Sequence, residues 1–186
     1  WAEFAPGKHE FKIVLLNQQD WMAQIRVASS NSDLAVKSLP FGVSASRVLG
    51  FDQALDQIAP PQPIAPVLLD AYFPNAAEDA NLSRLANRIQ PFESAADSLN
   101  FTFVVRSDQD SFQLDWDSLL IPPNYSGAVL KTPTGRIDMR QVSSASFAPG
   151  TYTFQIELGE MVNHQIQLQP GWNMISIPGQ PTDPDP

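Results

Sequence analysis

Hydrophobic side chains recur at every second residue near the end of this chain. In the run Thr151 to Leu158, Tyr152, Phe154, Ile156 and Leu158 fall on one face. A two-residue period alternates side chains across an extended backbone, so this segment buries a single apolar face only as a β-strand. The same period runs through Phe112, Leu114 and Trp116, with Gln113 and Asp115 opposite. Seventeen prolines punctuate the chain. They interrupt helical hydrogen bonding and favour short strands joined by turns.

Further strand candidates follow from the same reading. Leu99 to Arg106 is β-rich, and Ser107-Asp108-Gln109-Asp110 after it is a turn. Ala128 to Lys131 and Arg136 to Met139 flank Thr132-Pro133-Thr134-Gly135, a tight hairpin with Gly135 placed for an unusual φ. Phe11 to Leu16 and Trp21 to Val27 read as a hairpin across Asn17 to Asp20, and Leu34 to Leu39 and Val67 to Phe73 as two more strands. Leu82, Leu85, Ala86 and Ile89 have helical spacing, which predicts a short helix within Ala76 to Ile89. These elements predict an antiparallel immunoglobulin-like β-sandwich with one short helix and one long ordered crossover, from residue 40 to about 66. The sandwich is expected over residues 1–160. Residues 161–186 are expected to hold one or two C-terminal strands and a Pro/Asp linker toward a following module.

Composition removes several classes of function. Eleven basic and twenty acidic residues give a net charge of −9, so the chain repels nucleic acid and anionic membranes. No apolar run reaches the length of a membrane span. Without cysteine there is no disulfide framework and no thiolate chemistry. The two histidines, His9 and His164, lie near opposite ends, and no nucleophile-elbow, zinc-protease or P-loop motif is present. The expectation is a protein that is not an enzyme.

Two sets of residues remain as binding candidates. Aromatic rings that stack on sugars would come from Tyr125, Trp21, Tyr72 and Trp172, with Trp1 a further one. Tyr125, between Pro123-Asn124 and Ser126-Gly127, is the best placed for exposure, whereas Trp21 and Trp116 share strand faces with apolar residues and fit a core. The crossover holds Asp52 and Asp56, four residues apart. They either ligate calcium, which takes several converging oxygens, or close turns by accepting backbone N–H groups. No other cofactor is expected.

The chain resembles uncharacterised β-sandwich modules of large secreted or surface multi-domain bacterial proteins. The resemblance rests on Phe41-Gly42-Val43, Gly50-Phe51-Asp52, Asp56 and Ala59-Pro60-Pro61-Gln62-Pro63. It continues through Leu114-Asp115-Trp116-Asp117, Ile137 to Arg140, Ser144 to Phe154, and Gly171-Trp172-Asn173-Met174-Ile175-Ser176-Ile177-Pro178. The chain departs from such modules at Arg47-Val48-Leu49, where more acidic and smaller residues are usual. The resemblance implies a secreted or cell-surface location and a non-catalytic structural or interaction role. The expected partners are neighbouring modules of the same polypeptide, a polysaccharide or another surface protein, with no nucleic acid and no membrane insertion.

Overall fold

A computed structural model describes residues 20–31, 36–48, 51–76, 82–91, 98–123 and 125–159. Eleven strands form among them. They are β1 (Trp21–Ser29), β2 (Lys37–Ser44), β3 (Asp70–Pro74), β4 (Arg84–Leu85), β5 (Arg88–Pro91) and β6 (Leu99–Ser107). Then come β7 (Phe112–Trp116), β8 (Ala128–Thr132), β9 (Gly135–Asp138), β10 (Ser144–Phe147) and β11 (Gly150–Leu158). One sheet runs β10-β7-β1-β2-β5 and the other β4-β3-β6-β11-β8-β9. Pairing is antiparallel except between β2 and β5, which run parallel. The predicted all-β sandwich is the fold this chain adopts.

Side-chain alternation explains which face each strand buries. β6 sends Leu99, Phe101, Phe103 and Val105 inward, while Asn100 and Thr102 face out. β11 buries Phe154, Ile156 and Leu158 beside it, in a register that sets Phe154 opposite Phe103. From the other sheet β1 contributes Ala23, Ile25 and Val27, and β2 contributes Leu39, Phe41 and Val43. The rings meet across the sandwich: Phe41 lies 5.1 Å from Phe101, and Phe112 lies 6.4 Å from Phe154. Burying a phenylalanine contributes about 1.5–3 kcal/mol, and each well-set ring pair about 0.5–1.5 kcal/mol more. Such a core holds two sheets together without disulfides.

Several expectations shift. Phe41 to Ser44, expected within the crossover, extend β2, because Phe41 and Val43 continue the inward face begun by Leu39. The crossover therefore runs from residue 45 to residue 69, out of one sheet and into the other. The helix expected within Ala76 to Ile89 does not form over residues 82–91, where β4 and β5 stand instead. Leu85 and Ile89 are both buried, but as members of two short strands. A 3-10 turn stands at Ser118–Leu120, capped by Asp117 accepting from Leu119 N at 2.9 Å.

The hairpin between β8 and β9 forms with Thr132 opposite Gly135, but Gly135 does not need a positive φ. That conformation falls to Gly150, at φ 152°, where the chain passes from β10 to β11. The expected strand Phe11 to Leu16 and the C-terminal segment 161–186 lie outside the described residues.

Candidate functional site

Six buried residues among those described are polar or charged: Ser44, Asp52, Asp56, Asp70, Asn87 and Ser107. All six lie on the crossover or at a point where it is fastened. A buried polar group is costly unless it is hydrogen-bonded, so their common location marks where the fold depends on polar contacts.

At the entry, Asp20 faces the end of β2. Its Oδ1 accepts from Ala45 N at 2.7 Å, and its Oδ2 accepts from the Ser44 hydroxyl at 2.7 Å. The Ala45 amide first and the Ser44 hydroxyl second hold this carboxyl below the usual aspartate range.

The middle of the crossover is a knot around Asp52 and Asp56. Asp52 accepts from Val48 N at 3.2 Å and from Ala54 N at 2.9 Å through its two carboxylate oxygens. Asp56 Oδ2 accepts from Asp52 N at 2.8 Å, and Asp52 O accepts from Asp56 N at 2.7 Å. Arg47 places Nη1 at 2.9 Å from Asp56 Oδ2 and 3.7 Å from Asp52 Oδ2. The closer approach is an ion pair by distance without the alignment of a hydrogen bond. Asp52 is covered in area yet lies shallow, and the Val48 amide is the main influence that holds its carboxyl low, ahead of Ala54 and Arg47. Nearby, burial pushes the Arg88 guanidinium down, and Arg47 adds to that while Asp56 opposes it.

Asn87 ties the knot to β4 and β5. Its Oδ1 accepts from Gln57 N at 2.8 Å and its Nδ2 donates to Leu55 O at 2.7 Å. Backbone bonds from Ala86 N to Gln57 O and from Ala59 N to Arg84 O continue the attachment.

The exit is fastened to the end of β6. Val67 N donates to Asp108 Oδ2 at 2.8 Å while Asp108 N donates to Val67 O at 2.8 Å. Ser107 Oγ lies 2.8 Å from Leu68 O and 2.7 Å from Asp110 O, one hydroxyl proton between two carbonyls. Arg106 grips Asp108 through Nε and Nη2, and this contact first, then the Val67 amide, holds the Asp108 carboxyl low. Asp70, the first residue after the crossover, takes Arg84 Nη2 at 2.7 Å, and the same guanidinium lies 3.9 Å over the Tyr72 ring.

Asp52 and Asp56 are thus brought together, and Asp52 closes a turn by accepting from Ala54 N. The cation between them is Arg47. Among the described residues no group of three or more His, Asp or Glu side chains converges as metal ligands would. The aromatic candidates are dispersed. Tyr125 is 6% exposed and part of the core, contrary to its expected exposure, with its ring 5.9 Å from Trp21. Burial pushes its phenol up, and the Trp21 indole N–H offsets this only in part. Trp21 is half-buried against Phe41 and Phe101. Tyr72 is half-buried on the face of β3 away from Ala71 and Phe73, with one ring face taken by Arg84. Trp116 is core, as expected, and donates from Nε1 to Met139 O at 2.9 Å. Trp1 and Trp172 lie outside the described residues.

Asp20, Arg47 and Asn87 are members sequence reasoning did not assign, and Asp108, expected only as a turn residue after β6, fastens the exit. Asp20, Asn87 and Asp108 reach the crossover across sequence separations of 25, 30 and 41 residues, where no local spacing could announce them.

No family model, no curated protein and no solved structure matches this chain.

Proposed function

We propose that this chain is a non-catalytic structural or interaction module of an exported multi-domain surface protein. The observation that carries this reading is the use made of its polar and aromatic residues. The buried polar groups fasten the crossover, and Trp21, Trp116 and Tyr125 pack into or against the core. A general acid or base working near neutral pH needs a carboxyl pushed up toward it. Asp20, Asp52 and Asp108 are pushed the other way, which supports a holding role. The partners would be neighbouring modules, and the resemblance to surface-protein segments supports the location outside the cell.

The competing reading is a polysaccharide-binding module, for which Tyr72 is the aromatic nearest to serving. Affinity electrophoresis in gels cast with soluble polysaccharides separates the two. The structural reading expects unchanged mobility across the panel. Retardation by one polysaccharide, abolished in Tyr72→Ala, would replace it with the binding reading.

A further inference from the structure

The fastening of the crossover is uneven in chemistry along its length, yet three of its anchors are alike. Asp20 takes the amide of Ala45, Asp52 takes those of Val48 and Ala54, and Asp108 takes that of Val67. Entry, middle and exit each depend on an ionised carboxylate accepting a backbone N–H from the crossover. The two sheets do not depend on carboxylates in this way. Their shared core is aliphatic and aromatic throughout, and the strands pair through backbone ladders. The ion pairs on the outer faces, Arg26 with Asp115 and Glu157 with Lys131 and Arg136, are solvent-accessible, a setting in which such pairs contribute little.

We propose that the crossover is an acid-releasable strap: protonation of Asp20, Asp52 and Asp108 frees residues 45–48 and 51–67 while both sheets stay paired. The charged and titratable groups facing these anchors are few. Arg47 and Asp56 face Asp52, with Arg88 acting on both of them; Arg106 grips Asp108, with Asp70 near that arginine, and Arg84 holds Asp70. Asp20 faces the hydroxyl of Ser44, itself in contact with Ser46. Protonating the three aspartates removes the acceptor charge from the strap amides. It also leaves Arg47 and Arg106 with less anionic charge, which loosens the middle and the exit of the strap.

The direction in pH follows from the anchors. Each of the three has a folded-state pKa below its ordinary value of 3.8. A group depressed in this way contributes stability that is full above the unfolded value and is lost as pH falls through the folded one. The strap is therefore closed at neutral pH and opens below the ordinary aspartate range.

Hydrogen–deuterium exchange, corrected for intrinsic rates, reads this directly. Between about pH 5 and about pH 3 the amides of Ala45, Val48, Ala54 and Val67 should lose about tenfold or more of their protection. The amides of the β6–β11 ladder should keep theirs. Strap protection unchanged at about pH 3 would overturn the proposal, and so would loss of strap and ladder protection in step. The triple variant Asp20→Asn, Asp52→Asn, Asp108→Asn retains an acceptor oxygen at each anchor but no charge. At neutral pH it should show the weak strap protection of the acid form with an intact ladder. Full strap protection in this variant, or a ladder lost with the strap, contradicts the account.

Discussion

Arg47 Nη1 lies 2.9 Å from Asp56 Oδ2, and the two side chains are 4% and 1% exposed. Taking two charges out of water is expensive, and their attraction repays it only while both are present. Removing the cation leaves Asp56 and Asp52 facing each other across the space it filled. Arg47→Met is expected to cost about 3–5 kcal/mol, read from urea unfolding, well beyond the effect of an exposed arginine.

Gly42 gives a backbone test of the β1–β2 pairing. It sits opposite Met22 in the ladder, and a Cβ built there meets the Trp21 carbonyl oxygen and comes within 2.9 Å of Met22 Cα. Backbone cannot swing aside as a side chain can. Gly42→Ala should destabilise by about 3 kcal/mol, with a lower unfolding midpoint in urea and an unchanged slope.

Trp116 joins β7 to the turn after β9 through its indole N–H on Met139 O. Both residues are buried, so an unmade bond leaves the carbonyl without its partner. Trp116→Phe should cost about 2 kcal/mol, and near-ultraviolet circular dichroism should keep the rest of the aromatic signal.

The core and the surface should respond very differently to truncation. Phe103 is fully buried, 5.1 Å from Phe154 and 6.1 Å from Phe73, so Phe103→Ala should cost about 3–5 kcal/mol. Leu119 is 89% exposed, and Leu119→Ala should fall within about 0.5 kcal/mol of the parent. Thermal unfolding of the two variants side by side checks the contrast.

Strands whose alternation sits on one buried face were plain in the sequence. β6, β7 and β11 carry the period in their own residues, and the Thr132 to Gly135 turn marks β8 and β9. The helix expected near Leu85 arose because two short strands and their turn happened to space Leu82, Leu85, Ala86 and Ile89 as one helix face would. Proline, asparagine, serine and glycine around Tyr125 describe a backbone that turns, and they say nothing of where the ring goes. It goes inward to Trp21. In the crossover, the Asp52–Asp56 spacing announced a turn. Its fastening by Asp20, Asn87 and Asp108 depends on long-range folding and leaves no local mark.

Asp52 is the residue on which the crossover reading and the calcium reading differ most sharply, because it accepts two amides and also faces Arg47. The direct test is the thermal midpoint of Asp52→Ala and of the parent protein, each with millimolar calcium and with a chelator. A carboxylate that closes the crossover gives a midpoint several degrees lower in the variant, by the same amount in both solutions. An unchanged midpoint, or a calcium-dependent rise in the parent that the variant lacks, would contradict it.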